Sequence, residues 1–294
     1  MMNKIKYSVI KDGVVLVDYG PVTMTLEARK GGVPYTDAAV HGAQRALDAF
    51  EAIAEHLDFL RTPVGGIGRI SPDLPLPVRK MAESVKLLQE EDFTPMAAVA
   101  GTTSDFAVEA MVECGASYAI ANNGGDIAYY MASEEGESLR VGLISDISTG
   151  HVSHLLKIDS LDKIRGLATS GLGGRSLTRG IASAVTVMSS DSSKADAAAT
   201  AIANACICDD PAILQCPASE IDYGTDIPGL MVTKSVGRLR HGSPERALQA
   251  GSDRAKELLD REMIQGAVIF VFGAMSVIEK CVQGEHLFQV TQLS

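Results

Sequence analysis

The sequence predicts an α+β protein in which antiparallel or mixed sheets are covered by helices. Segments with strand character outnumber the strand–helix–strand units that a doubly wound parallel sheet requires. Hydrophobic residues make up 46% of the 294 residues, which is enough for a sizeable core. Since the chain has no Trp and only 5% aromatic residues, that core is predicted to be aliphatic and alanine-rich.

The first part of the chain alternates between strand and helix patterns. Residues 7–28 are typical of a strand meander, with turns at Lys11–Gly13 and Tyr19–Pro21. A long helix is predicted from Thr36 or Asp37 to about Leu57, where apolar residues recur at helical spacing. Residues 62–77 are rich in Pro and Gly, which indicates a loop that is a lid or a subdomain border in a single domain of residues 1–294.

The remaining elements follow from short apolar runs and their turn residues. Helices are predicted at 78–89, in the later half of 94–115, and at 193–206 and 243–260. Strands are predicted at 117–121, 127–132, 138–146 and 230–240, and in the longest apolar run, 266–278. A further strand is predicted to end near Met188.

Charge and cysteine content limit the class of partner. The formal net charge of −11 disfavours binding to nucleic acid or to an anionic membrane surface. The run 266–278 is shorter than the ~20 residues of a membrane-spanning helix. The five cysteines include no C-x-x-C pair, and the first residues lack the apolar core of a secretory signal, so a reduced cytoplasm is predicted. Two interpretations remain for Cys206, Cys208 and Cys216: they form a metal or cluster site, or they are buried thiols without a ligand.

Three stretches carry unusual residue choices, and the first is AVAGTTSD, residues 98–105. Its small residues allow close backbone approach, and Thr102 and Asp105 add a hydroxyl and a carboxylate near a predicted helix start. This chemistry suits a phosphate or a ribose. The alternative is an N-cap followed by a tightly packed helix.

The second stretch is NNGGD, residues 122–126. Two glycines between strands are ordinary hairpin chemistry. They also let a flat ligand lie against the backbone, and Asn123 and Asp126 can then bind its polar edge.

The third stretch joins a glycine loop, ATSGLGGRS, to the helix KADAAATAIANA. Arg175 in the loop can clamp an anion. Asp196 and Thr200 lie four residues apart and share one helix face, where they can hold Mg²⁺. The alternative is an Asp that interacts with the helix dipole and a Thr packed among alanines. His151 and His154 have ligand-compatible spacing on a helix, without an evident third ligand.

The order of these stretches resembles the ApbE superfamily of FAD:protein FMN transferases. The matching segments lie within residues 95–205 and read MAAVAGTTSDFAVEA, NNGGDIA, ATSGLGGRS and KADAAATAIANA. Their exact form is most similar to an uncharacterised UPF branch of ApbE relatives. The resemblance implies a T-fold, in which helices cover one side of antiparallel sheets, and an oligomer such as a homodimer, for which the apolar C-terminal strand leaves room.

The resemblance also implies a flavin site and a magnesium site. It implies that FAD or FMN is bound by the NNGGD turn, by the small-residue stretch and by the S-G loop: Gly101, Thr102, Asn123, Gly124, Gly125, Asp126, Ser170 and Gly171. Asp196 and Thr200 match the family's Mg²⁺ ligands, assisted by a backbone carbonyl near residues 98–100.

Two departures bear on activity. The transferases carry an H-x-x-D-P-x-T-G segment, whereas this chain has no His or Pro between Gly171 and Lys194. The transferases' A-K-G-Y is A-G-T-T here, so a Lys is also missing. The leading hypothesis is therefore a flavin-nucleotide-binding enzyme with other chemistry, for which Arg175 is a candidate functional group.

Three alternatives remain. One is an FMN transferase whose base is Asp105 or His151. Another is a flavin-dependent reductase similar to part of 6-hydroxynicotinate reductase, supplied with electrons by a partner because ferredoxin-type cysteine runs are missing. The last is a non-catalytic flavin carrier.

Overall fold

The computed structural model describes residues 6–132, 138–159, 161, 163–174, 176–280 and 286–293. The strands are β1 (Tyr7–Lys11), β2 (Val14–Tyr19), β3 (Val22–Lys30), β4 (Val33–Pro34), β5 (Tyr118–Asn123), β6 (Asp126–Met131), β7 (Leu139–Ile144), β8 (Val152–Ile158), β9 (Gly166–Ser170), β10 (Ala184–Ser189), β11 (Ile213–Pro217), β12 (Met231–Val236), β13 (Gly266–Val271), β14 (Ala274–Glu279) and β15 (Phe288–Gln292). The α-helices are α1 (Thr36–Glu55), α2 (Leu57–Leu60), α3 (Leu76–Lys86), α4 (Val99–Glu113), α5 (Ser192–Ala205) and α6 (Ser243–Asp260).

The strands pair in antiparallel fashion throughout these ranges. Ten of the described strands form a large sheet in the order β1-β2-β3-β5-β6-β9-β10-β13-β14, with β4 paired to β3. A small sheet has the order β15-β8-β7, and β11 pairs with β12. The predicted α+β class with antiparallel sheets is therefore confirmed.

The helices lie on one face of the large sheet. Helices α1 and α4 cover β2, β3 and β5, and helices α5 and α6 cover β9, β10 and β13. The small sheet packs on the opposite face through a second apolar layer that includes Tyr129, Leu156 and Phe270. The core is alanine-rich as predicted, most clearly on α5, which buries Ala195, Ala197, Ala198, Ala199, Ala201 and Ala203. None of the described helices is long and apolar enough to cross a membrane.

The apolar run 266–278 is not one buried strand, so that prediction was wrong. It forms β13 and β14, which are joined at Phe272 and Gly273 with φ of 44° and 88°. Strand β13 is buried along its whole length, whereas Met275 and Val277 on β14 are exposed. The turn divides the run because β14 is the last strand of the sheet and packs on one face only.

The segment 62–77 is attached to the core near Phe93. The Val64 N–H donates to the Phe93 carbonyl at 2.7 Å, and the side chains of Val64 and Ile67 are buried. Helix α3 begins at Leu76, two residues before the predicted start. A lid or a subdomain border at residues 62–77 stays a prediction, as does the single domain.

Candidate functional site

The NNGGD stretch forms a tight hairpin between β5 and β6. Asn123 pairs with Asp126, which leaves Gly124 and Gly125 as the two turn residues, with φ of 70° and 111°. Positive φ at both central positions is what a two-residue hairpin turn with the twist of its strands requires, and glycine adopts it without strain. The Asn122 Oδ1 accepts the Gly125 N–H at 3.0 Å and fixes the turn. The hairpin interpretation is thus confirmed.

The same hairpin borders a cavity of about 1050 Å³. That volume is at the upper end of small-molecule sites, so it is large enough for a dinucleotide. One wall comes from the hairpin and the large sheet, a second from the start of α4, and a third from the small sheet. The polar lining residues include Thr23, Thr25, Thr103, Asn122, Asn123, Asp126, Arg140, Thr169, Ser176 and Thr186.

Asn123 presents an unsatisfied hydrogen-bond acceptor at this cavity. Its side chain is only 4% exposed, and its buried Oδ1 has no hydrogen-bond partner among the described residues. Leaving such an acceptor unpaired costs about 1–3 kcal/mol. A buried orphan atom of this kind requires an explanation, and either an ordered water or a bound molecule can supply the missing donor.

Asp126 connects the hairpin to the helical layer. Its backbone carbonyl accepts the Ser104 hydroxyl at 2.9 Å, which holds the turn against α4. Its carboxylate lies near that of Asp196 on α5. Burial and the charge of Asp126 raise the pKa of the Asp196 carboxyl well above its usual range, although N–H groups of Gly101 and Ala100 oppose the shift.

Helices α4 and α5 cap each other through two carboxylates. The Asp196 Oδ2 on α5 accepts the Gly101 N–H at the start of α4, at 2.9 Å. In return Asp105 on α4 accepts the N–H groups of Ser192 and Ser193 at the start of α5, at 2.8 and 3.0 Å. Each carboxylate satisfies N–H groups that a helix start leaves unpaired, so the two helices are held in one register.

In the stretch 98–105, which was predicted to bind a phosphate, some residues pack α4 against α5 and others line the cavity. A Cβ on Gly101 would lie 2.2 Å from the Ser192 carbonyl oxygen, so Gly101 permits close helix packing. The Thr102 hydroxyl contacts that of Ser193 at 2.7 Å in the buried interface. Asp105 lies in the second turn of α4, not at its start, and neither it, Gly101 nor Thr102 is among the residues that line the cavity.

The cavity is lined instead by the adjacent helical face, with Val99, Ala100 and Thr103. The phase of the helix explains the difference, because residues one position apart point about 100° away from each other. Helical periodicity in the sequence identifies the faces but does not say which of them meets the hairpin. A catalytic role for Asp105 stays a prediction beside its packing role.

At the glycine loop, too, the residue that lines the cavity lies one position away from the predicted residue. Ser170 ends β9 with its side chain half-buried, and a Cβ on Gly171 would lie 3.0 Å from two backbone carbonyls. The cavity is lined by Thr169, whose hydroxyl contacts that of Thr186 at 2.9 Å. The sequence analysis missed Thr169, which alternation along the strand from Leu167, another lining residue, could have identified. Arg175 lies outside the described residues.

The predicted metal pair lies on one helix, as its spacing required. Asp196 and Thr200 are both half-buried on α5. Thr200 lines a second cavity of about 270 Å³, which meets the first at Val99 and Ser176. Thr200 therefore borders the second cavity, whereas Asp196 is not among the residues that line either cavity.

The histidine and cysteine candidates do not form a metal site. His154 is on strand β8, not on a helix, and packs against Phe270 with a ring distance of 4.9 Å, whereas His151 is exposed. Burial raises the pKa of the Cys206 thiol to about 12, and Cys208 donates to the Ser243 carbonyl. In the part of the chain that the structure describes, no group of three or more His, Cys, Asp or Glu side chains is placed to hold a metal ion.

The buried Asp105 predicts a pH dependence of stability. Burial raises its pKa to about 6, although Lys80 and the Ser192 N–H oppose the shift. The folded state then holds the proton more tightly than the unfolded chain, whose Asp has a pKa of about 4. The stability contributed by protonation is complete below about pH 4 and is lost as pH rises through about 6.

Asp105→Asn tests this expectation by denaturant unfolding at several pH values. Relative to this variant, the unfolding free energy of the wild type should fall by about 2 kcal/mol between about pH 4 and about pH 6. Parallel pH curves for the two proteins would contradict the assignment.

Comparisons with known proteins place the chain in a family. A family model described as "AbpE bacteria" matches residues 8–277. A UPF0280 protein of Methanothrix thermoacetophila is 42% identical over 140 residues, which are 47% of this chain and 56% of that protein. A UPF0280 protein of Methanococcus aeolicus is 36% identical over 179 residues, or 58% of this chain and 68% of that protein. The match spans about half the length of the first relative.

Solved structures of similar architecture include the apo form of Pseudomonas stutzeri flavinyl transferase ApbE. It is 12% identical, with a TM-score of 0.49 over 92% of this chain and 97% of that one. The ApbE protein of Thermotoga maritima is 13% identical, with a TM-score of 0.46 over 89% and 96% of the two chains. The family match over residues 8–277, together with the UPF0280 relatives, shows that the chain belongs to the ApbE superfamily, in its UPF0280 branch.

Proposed function

We propose that this protein binds a flavin nucleotide, FAD or FMN, in the cavity beside the Gly124–Gly125 turn. The observation that carries the proposal is the buried, unpartnered Oδ1 of Asn123 in the wall of a cavity of about 1050 Å³. A flavin ring presents an N–H group at its polar edge that can donate to this oxygen once the Asn123 side chain turns toward the cavity. Membership of a superfamily that includes flavinyl transferases supports the choice of ligand.

The hairpin suits a flat ring for a steric reason. Gly124 and Gly125 carry no side chain, and even a Cβ added to Gly125 would lie 3.9 Å from the nearest non-neighbouring atom, the Thr169 Cβ. A planar ring can therefore approach the turn backbone, while the threonines of the large sheet supply further donors and acceptors.

The chemistry of Asp126, Asp196 and Thr200 also fits a divalent cation: Asp126 lines the first cavity, Thr200 lines the second, and Asp196 lies near Asp126. Asp196 and Asp126 place two carboxylates near each other, and their mutual repulsion and burial raise the pKa of Asp196. Hard cations such as Mg²⁺ prefer carboxylate, hydroxyl and carbonyl oxygens. Asp196 and Thr200 would hold the ion, which would neutralise charge on the nucleotide phosphates. The negative charge of the nearby Asp126 carboxylate would further stabilise the bound cation.

The chemistry proposed is flavin binding by an enzyme other than a standard FMN transferase. The family's His-x-x-Asp-Pro segment is missing, and Asp105, the candidate substitute, is held by Ser192, Ser193 and Lys80. A carboxylate with three partners inside a helix interface is poorly placed to accept a proton from a substrate. His151, the other candidate, does not line the cavity.

Flavin fluorescence titration tests the proposal. We expect one equivalent of FAD or FMN to bind per chain, with FAD binding strengthened by Mg²⁺. Release of AMP with FMN joined covalently to a protein Ser or Thr would indicate FMN transfer, whereas AMP with free FMN would indicate hydrolysis of FAD. Tight binding without AMP release would favour a flavin enzyme or carrier. No binding of either flavin, with and without Mg²⁺, would contradict the proposal.

A further inference from the structure

A groove with unusual charge pairing lies on the outer side of the helical layer. It has a volume of about 550 Å³ and runs between α3, α4 and the start of α5. It shares no lining residue with the cavity proposed for flavin. Its lining consists of Leu76, Arg79, Lys80, Glu83, Ser84, Leu87, Phe106, Glu109, Asp191 and Lys194.

Two of the three cations in the groove are paired. Lys80 contacts Asp105 at 3.0 Å and Glu109 at 3.3 Å. Lys194 contacts Asp191 at 2.7 Å. These ion pairs neutralise the charges of the two lysines, so the lysines do not form a general anion-binding site.

Arg79 differs from both lysines. Its Nε is buried and has no hydrogen-bond partner, and its guanidinium makes no ion pair with any residue that the structure describes. A buried N–H donor of a charged group that is left unpaired is costly, and native proteins rarely retain one without a function. Because protein atoms cover the Nε, a carboxylate in the groove would pair with the Nη atoms of the guanidinium.

The groove also exposes apolar side chains at both ends of helix α3. Leu76 and Leu87 are 60% and 44% exposed, and Phe106 forms a buried part of the lining between α3 and α4. Exposed leucines on either side of a half-buried arginine match a molecule with an anionic head and an apolar tail.

We propose that this groove binds a monocarboxylate with an apolar tail, whose carboxylate pairs with Arg79. Arg79 is the only cation lining the groove without an ion pair among the described residues, and a monoanion is the smallest charge that pairs with it. A phosphate dianion is disfavoured, because Glu83, Glu109 and Asp191 line the same groove.

Calorimetric titration with hexanoate tests the site. We expect a dissociation constant of about 1 mM for the wild type, as a ligand of this size allows. Arg79→Met should weaken binding at least tenfold. The matched control is Arg69→Met, which removes the same charge from an exposed position outside the groove and should bind hexanoate like the wild type.

Thermal unfolding gives a second, ligand-free readout. Because Arg79→Met removes an unpaired buried donor, its melting temperature without hexanoate should equal or exceed that of the wild type. Hexanoate should raise the melting temperature of the wild type and of Arg69→Met but not of Arg79→Met. Inorganic phosphate and 1-hexanol should have no such effect.

Three results would overturn the proposal: no hexanoate binding to the wild type, equal binding by Arg79→Met, or equal binding of 1-hexanol. Because the groove and the flavin cavity are separate, these results leave the flavin proposal unaffected, and failure of flavin binding leaves this one unaffected.

Discussion

Replacing Gly101 by valine is expected to lower the free energy of unfolding by about 3 kcal/mol or more. A Cβ at this position would lie 2.2 Å from the Ser192 carbonyl oxygen, 2.6 Å from its carbon and 2.9 Å from the Asp196 Cβ. Two of these atoms belong to the backbone of α5, so no side-chain rotation relieves the overlap. The helices must separate, which also weakens the two reciprocal carboxylate caps.

Denaturant unfolding measures this effect, and Gly68→Val is the matched control. A Cβ on Gly68 would meet no atom within 4 Å, so that variant should keep nearly the stability of the wild type. Equal stability of the two variants would show that the close contact between α4 and α5 is not a constraint on the fold.

Substitutions of Asp196 are expected to abolish the effect of Mg²⁺ on flavin binding. In the wild type, Mg²⁺ should strengthen FAD binding at least tenfold, about 1.4 kcal/mol, because the ion offsets the charges of the phosphates and the carboxylates. Asp196→Asn and Asp196→Ala both remove the metal-binding carboxylate. Both should therefore bind FAD equally well with and without Mg²⁺.

The two variants differ in whether the hydrogen bond to the start of helix α4 is kept. The amide oxygen of Asn can still accept the Gly101 N–H, whereas Ala leaves this N–H unpaired. Only Asp196→Ala should lose about 1–2 kcal/mol of unfolding free energy. A Mg²⁺ effect that survives in Asp196→Ala would exclude Asp196 as a metal ligand, since Ala offers no oxygen to the ion.

The parts of the fold that sequence could predict are those set by local pattern. The α1 and α5 helices follow from periodic apolar residues, and the β5–β6 hairpin follows from two adjacent glycines. The small sheet was largely missed because β8 pairs with β15, more than a hundred residues further along the chain. The β13–β14 turn was missed because Phe272 adopts a positive φ, which nothing in an apolar run indicates.

Several residues predicted for the site line the candidate cavity or lie next to residues that do, while their role in binding stays a prediction. The hairpin residues Asn123, Gly124, Gly125 and Asp126 do line the cavity. On α4 and β9 the lining residues are Ala100 and Thr103 in place of Gly101 and Thr102, and Thr169 in place of Ser170. Motif order gives the segment, but the side of a helix or strand that faces the ligand depends on tertiary packing.

Flavin titration of the wild type and of Asn123→Leu tests the central claim most directly. Leucine fills a similar volume but offers no acceptor, so FAD and FMN affinity should fall about 10- to 100-fold. Thermal unfolding without ligand provides the control, because removal of an unpaired buried oxygen should not destabilise the variant. Unchanged flavin affinity in Asn123→Leu, or no flavin binding by the wild type, would contradict a flavin site at the Gly124–Gly125 turn.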